Sequence, residues 1–329
     1  MSPPLLAVSG LSVELPGKAG GVRVVRDVSF ELAAGECLGL VGESGCGKSM
    51  TALAILGLVP PPGRIVEGRV RLAGMDLVGR PDRELCKVRG GRIAMVFQEP
   101  MAALNPVLTI GFQIAEAARL HRGLSRREAR REAGRLLELV AMPDAGSRLD
   151  SYPHQLSGGQ CQRAVLAMAL AGGPEILLAD EPTTALDVTV QAQLIELLDR
   201  LRRELSLSIL LITHDFGVVA QACDRVIVLY AGQVVEQAET ERLFARPAHP
   251  YTRALLAASP RLGKPAPRGA LPTIPGRAVD PSDLPAGCAF SPRCAEVFAP
   301  CGEAEPPLVE LGGGREARCF LHVEEMPAS

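Results

Sequence analysis

Residues 42–49 read Gly42-Glu43-Ser44-Gly45-Cys46-Gly47-Lys48-Ser49 and satisfy the pattern G-x-x-x-x-G-K-[ST]. Glycines permit backbone conformations that a Cβ would block. Successive N–H groups can then wrap a β-phosphate, helped by the positive end of a following helix. Lys48 can reach the β- and γ-phosphates, and Ser49 can ligate Mg²⁺. Met50 follows directly and is counted with the nucleotide-binding residues. A second group of chemical residues is Asp180-Glu181, which ends the apolar run Ile176-Leu177-Leu178-Ala179. Open α/β sheets place ligands at the carboxyl ends of their strands. Asp180 is therefore suited to Mg²⁺ and Glu181 to polarising an attacking water. Taken alone, this pair also fits a buried strand ending in a solvated turn.

A third group, Leu156-Ser157-Gly158-Gly159-Gln160, lies more than a hundred residues after the first and cannot belong to the same turn. It precedes Arg163-Ala164-Val165-Leu166-Ala167-Met168-Ala169-Leu170, a strongly helical segment. Ser157, Gly158 and Gly159 thus form an anion site at a helix N-terminus.

The elements that must position these groups are legible. Cys37–Val41 is a short apolar run of the kind that forms a buried parallel strand. Met50–Leu56 has helix-forming composition, so the glycine-rich loop lies between strand and helix. Further strands are expected at Val66–Leu72, Ile93–Phe97, Ile176–Ala179, Ile209–Ile212 and Arg225–Tyr230. Helices are expected at Ile110–Leu120, at Ser125–Met142 and at Thr189–Glu204, the last as a βαβ crossover. Ser125-x-x-Glu128 is a capping box. Ala129, Ala133, Leu136, Leu137 and Val140 share one face of that helix. Arg126, Arg127, Arg130 and Arg131 then read as its solvated side and not as a nucleic-acid footprint.

The chain resembles the ATP-hydrolysing subunit of ABC transporters along most of residues 5–245, with six motifs in the family's order. The resemblance implies a P-loop ABC ATPase core: an α/β fold with a mostly parallel sheet flanked by helices, an antiparallel β subdomain and a helical subdomain. It implies ATP and Mg²⁺ as cofactors. Gln98, in Val96-Phe97-Gln98-Glu99-Pro100, is similar to the glutamine that senses Mg²⁺ and the attacking water. Ser157, Gly158, Gly159 and Gln160 match the string that faces the γ-phosphate held by a second subunit. Asp180 matches the metal-binding aspartate, so Ser49, Gln98 and Asp180 are the implied Mg²⁺ residues, and Glu181 matches the catalytic glutamate. Asp187, in Ala185-Leu186-Asp187, lies in the loop that crosses the dimer interface. His214, in Leu211-Ile212-Thr213-His214-Asp215, matches the switch histidine that contacts the γ-phosphate. One departure concerns the base. Family members carry an adenine-stacking aromatic before the first sheet strand, and this chain has no Phe, Tyr or Trp between Gly10 and Phe30. Val22, Val24 and Val25 are the apolar alternatives, and base selectivity is expected to be loose.

Composition limits the rest. The 329 residues carry a net charge of −2, and no Lys/Arg block stands out. No apolar run approaches the ~18–20 residues of a membrane span, and the N-terminus has no secretory pattern. A soluble protein that reaches the membrane through partners is expected. Residues 1–245 read as the nucleotide-binding domain, with the helical subdomain at about 99–172, and residues 246–329 as a C-terminal extension. Residues 260–329 hold 12 of the 27 prolines, which disfavours long helices there.

Ala248-His249-Pro250-Tyr251-Thr252-Arg253-Ala254-Leu255-Leu256 and Leu104-Asn105-Pro106 resemble the branch of oligopeptide, dipeptide and nickel importers. That resemblance implies ATP-driven uptake of di- or oligopeptides at the cytoplasmic face of the cell membrane. The implied partners are two permease subunits, an extracytoplasmic solute-binding protein and a second ATPase subunit that is related but different; no nucleic acid is expected. The alternatives are the same machine carrying nickel or another small solute, a soluble ABC ATPase without a transport role, and a redox or metal sensor.

Cys37, Cys46, Cys86, Cys161 and Cys223 are scattered, whereas Cys288, Cys294, Cys301 and Cys319 are spaced C-x5-C-x6-C-x17-C. Four thiols in a Pro/Gly-rich segment suggest a metal staple. Zinc sites favour a tight C-x2–4-C knuckle, absent here, whereas iron–sulfur clusters accept wider spacing. The branch resemblance, anchored on Gly287-Cys288-x-Phe290-x-x-Arg293-Cys294, implies a [4Fe–4S] cluster; Zn²⁺ and free thiols are the alternatives.

Overall fold

The computed structural model describes residues 3–17, 20–184, 187–258 and 273–323. The chain falls into two compact units. One comprises Met1–Pro4, Leu32–Cys37 and Gly79–Ile212; the other comprises Leu5–Glu31, Leu38–Val78 and Thr213–Ser329.

In the first unit, three parallel strands run in the order Ser208–Thr213, Ile176–Asp180, Ile93–Val96. The outer two are in register with the middle one at Ile176↔Ser208 and Ile93↔Ile176. The strands Ser208–Thr213 and Ile176–Asp180 are buried along their whole length, which is why they read as continuous apolar runs and do not alternate. The helix Val188–Leu205 makes the crossover between them and buries Leu194, Ile195, Leu197, Leu198 and Leu201. The helices Ile110–Arg122, Arg126–Leu139 and Gly158–Leu170 pack on one another. The capping box forms: Ser125 Oγ accepts from the Glu128 N–H, and the Glu128 carboxylate accepts from the Ser125 N–H. Ala129, Ala133, Leu136, Leu137 and Val140 are buried, while Arg126, Arg127, Arg130 and Arg131 are exposed.

The second unit holds an antiparallel sheet in the order Gly20–Leu32, Leu6–Gly17, Arg64–Leu72, Met75–Asp76. It also holds the strand Cys37–Val41, parallel to Arg225–Tyr230 with Leu38 opposite Arg225. Arg225–Tyr230 turns through Ala231-Gly232, both at positive φ, into antiparallel Gln233–Glu239. Two short strands from the end of the chain, Glu316–Arg318 and Leu308–Glu310, continue this sheet through Glu236↔Ala317. Sequence periodicity gave no sign of them.

The helix Pro250–Ala258 follows the short helix Thr240–Ala245. Its start is tied to the sheet by the buried Glu236 carboxylate, which accepts from the Ala248 and His249 N–H groups at 2.7 and 2.8 Å. His249 Nδ1 accepts from the Tyr251 N–H at 3.0 Å. Burial, with the positive neighbours Arg253 and His322, drives the His249 pKa down to about 3. The folded chain therefore keeps this imidazole neutral at pH values where the unfolded chain, near its ordinary 6.5, binds a proton. Stability is intact above about pH 6.5 and falls by about 1.4 kcal/mol per pH unit as pH drops toward 3. Thermal unfolding between pH 7 and 5 should show this slope in the wild type. In His249→Asn, whose amide oxygen can replace Nδ1 as acceptor, the slope should flatten; an unchanged slope would assign it to other groups.

Candidate functional site

The site-forming residues occur in two sets, one in each unit. In the second unit, the buried strand Cys37–Val41 delivers the chain to Gly42, and the helix Lys48–Ile55 leaves from Gly47. The fit is tight. A Cβ on Gly42 would stand 2.3 Å from the Leu229 carbonyl oxygen, and one on Gly47 would stand 2.6 Å from that of Val24. Gly47 caps the helix at φ +103°, in the left-handed region that favours glycine. Ser44, Gly45 and Ser49 are exposed at the mouth of the loop, and Met50 is half-buried behind it.

Lys48 is buried, and its ammonium donates to the Gly42 and Glu43 carbonyl oxygens at 2.8 and 3.0 Å. The loop's own carbonyls thus hold the charge that a phosphate would take over. Cys46 is also buried; burial pushes its thiol pKa up, against the opposing pull of Lys48. This cysteine packs the loop in its neutral form.

Two residues outside the sequence motif grip the loop. The Glu43 N–H donates to the Tyr251 hydroxyl at 2.9 Å, and the Glu43 carboxylate is paired with Arg293. Tyr251 lay inside a segment singled out only for its resemblance, and Arg293 was noted only beside Cys294. Neither had a local signal for a role at residue 43. His214 is exposed just after Thr213, and the neighbouring Asp215 caps the helix Phe216–Ala222 through the Gly217 N–H. A cavity of about 1060 Å³ is lined by Val22, Arg23, Arg26, Asp280, Ser282 and Leu284 among others, and none of its lining residues is aromatic.

In the first unit, Asp180 is buried at the end of its strand. Glu181 follows with φ 46°, an uncommon conformation for a residue with a side chain, and its N–H donates to the Ile212 carbonyl at 2.8 Å. The Glu181 carboxylate accepts from the Thr184 hydroxyl at 2.9 Å and from Gln98 Nε2 at 3.4 Å. The structure therefore brings Gln98 and Glu181 together and adds Thr184, which the sequence reading missed. A carboxylate held at two points and aimed by a fixed backbone is suited to orienting a water.

Ser157 caps the helix Gly158–Leu170 in a full capping box with Gln160. Ser157 and Gly158 are exposed, and a Cβ on Gly158 would meet open space. The start of this helix is accessible to an anion. Asp187 caps the crossover helix, accepting from the Thr189 and Val190 N–H groups at 3.0 Å each. Ala185 and Leu186, its companions in the motif, lie outside the described residues.

The four late cysteines converge without forming a ligand set. The Cys288 N–H donates to the Cys301 carbonyl at 2.9 Å, which brings two of them together through the backbone. Burial raises the thiol pKa of Cys288, Cys294 and Cys319, the last to about 11, and neighbouring cysteines of the group add to the shift. Among the described residues, no group of three or more His, Cys, Asp or Glu side chains is placed to hold a metal ion. The side chains as arranged present no ligand set, so the iron–sulfur centre that the branch resemblance implies, and its zinc alternative, are not shown.

Residues 25–184 match the ABC transporter family, and residues 235–301 match the C-terminal region of oligopeptide/dipeptide transporters. The chain is 53% identical to a putative peptide import ATP-binding protein of Brucella abortus, over 96% of this chain and 94% of that one. It is 47% identical to the oligopeptide transport ATP-binding protein OppD of Salmonella typhimurium, over 98% and 95% of the two chains. Among solved structures, a dimeric bacterial ABC transporter cassette superposes with a TM-score of 0.64 at 30% identity, over 71% of this chain and 98% of that one.

Proposed function

Because the chain belongs to the ABC transporter family of ATP-binding proteins, with the C-terminal region of its oligopeptide/dipeptide branch, we propose that it hydrolyses ATP to power peptide uptake. The observation that carries this reading is that the chain holds both a preshaped phosphate loop and, in its other unit, a fixed carboxylate, Glu181, held by Gln98 and Thr184. The relatives reported above are named for peptides, which favours peptide over nickel.

In the proposed cycle, Gly42–Ser49 binds the triphosphate through backbone N–H groups and Lys48. Ser49, Gln98 and Asp180 would hold Mg²⁺, which would supply positive charge to offset that of the phosphates. Glu181 orients the attacking water and takes its proton, and His214 contacts the γ-phosphate. The open helix start at Ser157, Gly158 and Gly159, with Gln160, binds the γ-phosphate held by a second ATPase subunit. Asp187 lies at that interface. A related structure solved as a dimer with ADP and phosphate supports this arrangement. Closure driven by ATP and opening after hydrolysis is a population shift set by differential affinity.

The finer assignments are part of the same proposal. Residues 1–245 form the nucleotide-binding domain, with a helical subdomain at about 99–172, and residues 246–329 form the extension. No described helix is long and apolar enough to cross a membrane. The chain acts at the cytoplasmic face of the membrane on two permeases fed by a solute-binding protein. Exposed Val107 (74%) and Phe112 (50%) in the helical region support docking there. A related but different second ATPase chain completes the dimer. A cluster or zinc ion in the tail is a separate proposal, supported by the count and spacing of its cysteines and not by the side-chain arrangement. Metal binding would have to draw the four thiols together.

Three outcomes are expected. Glu181→Gln should bind ATP with wild-type affinity and lose at least about a hundredfold in turnover; wild-type turnover would remove Glu181 from the role of base. Ser157→Arg should keep nucleotide binding and lose hydrolysis, because the bulky cation fills the anion site; full activity would contradict a shared site. Iron, sulfide and zinc assayed after anaerobic purification should show metal that is lost in Cys288→Ser; a metal-free wild type would reduce the tail to free thiols.

A further inference from the structure

Glu43 is an unfavourable residue to find inside a loop that binds a polyanion. Its carboxylate lies one residue from Gly42 and carries a charge that repels phosphate. The structure answers this with a residue 250 positions away. Arg293, in the single turn Ser291–Arg293, donates to the two carboxylate oxygens of Glu43 at 2.6 and 2.9 Å, a two-point fork. The guanidinium side chain is only 4% exposed. Its Nε donates to the Pro275 carbonyl at 3.0 Å, and its carbon lies 6.0 Å from the centre of the Tyr230 ring. Tyr230 packs against Tyr251 and Phe290 at 4.6 and 5.3 Å between ring centres. Tyr251, fully buried, fixes the Glu43 backbone through its hydroxyl. The loop residue is thus held at its N–H by one part of the extension and at its carboxylate by another.

We propose that Arg293 and Tyr251 are positioning residues of the nucleotide site, and that the C-terminal extension sets the loop's affinity for nucleotide by neutralising and orienting Glu43. This rests on the reading of Gly42–Ser49 as the nucleotide loop. Arg293 touches no phosphate in this scheme; it cancels the Glu43 charge and pins the loop in its binding shape. Loss of Arg293 alone leaves a bare carboxylate facing the phosphates. Loss of both charges removes the repulsion, so the double variant is expected to bind better than Arg293→Gln. A purely structural brace gives the opposite result, with the double variant no better than the single one.

The test is calorimetric titration of the full chain with MgADP, with steady-state ATP hydrolysis measured in parallel. Arg293→Gln should weaken binding about tenfold and raise KM for ATP similarly, with kcat changed by less than about twofold. Arg293→Lys should fall between it and the wild type. Glu43→Gln/Arg293→Gln should return to within about threefold of wild type. Wild-type affinity in Arg293→Gln, or a double variant as weak as the single, would overturn the proposal. If Arg293→Gln does not fold, Glu43→Gln decides: binding at least as tight as wild type supports charge neutralisation, and weaker binding overturns it. Lys48→Ala separates the two levels of the reading. If wild type fails to bind MgADP or Lys48→Ala binds it fully, the nucleotide loop itself is misread; if only the Arg293 effects are missing, the extension's role alone falls.

Discussion

A Cβ at Gly42 would collide with the Leu229 carbonyl and one at Gly47 with that of Val24. This steric constraint underlies the second unit. The loop can turn from strand to helix only because both positions lack a side chain. It also buries Lys48 against the loop carbonyls, so the cation is in place before any phosphate arrives. The hairpin Arg225–Glu239 packs around the same turn, and Tyr251 and Arg293 meet at Glu43. A loop held on several sides loses little conformational entropy on binding, so more of the interaction energy is expressed as affinity.

The first unit solves a different problem. In the proposed cycle its part is one carboxylate aimed at a water, and the backbone would supply the aim. Glu181 adopts a left-handed φ, a strained state sustained by its N–H bond to Ile212 and by the Thr184 and Gln98 contacts to its carboxylate. The helix start at Ser157 is exposed, and a Cβ on Gly158 would meet open space. In the proposed cycle this helix start would gain its function from a ligand brought by another subunit, which would tie hydrolysis to association.

Local chemistry was legible in the sequence and distant pairing was not. The loop glycines, the apolar strands before residues 42 and 180, and the capping box at Ser125 all act within a few residues, so their spacing revealed them. The fold class followed from the family resemblance that the motifs carry. Arg293 and Glu43 stand 250 positions apart, and no periodicity joins them. The strands Leu308–Glu310 and Glu316–Arg318 are three residues each, too short for an alternating pattern, and exist because an existing sheet edge accepts them. Thr184 has a small hydroxyl that gains meaning only beside Glu181. The cysteines show the converse: a suggestive spacing whose side chains are not arranged as ligands.

The central claim is that Gly42–Ser49 of one subunit and Ser157–Gln160 of another close on the same triphosphate. Amide hydrogen exchange on the Glu181→Gln chain, with and without saturating Mg-ATP, tests it most directly. The account predicts slowed exchange at both segments, with protection at 157–160 appearing only at concentrations where dimers form. Unchanged exchange at 42–49, or dimers that leave 157–160 unprotected, would contradict it.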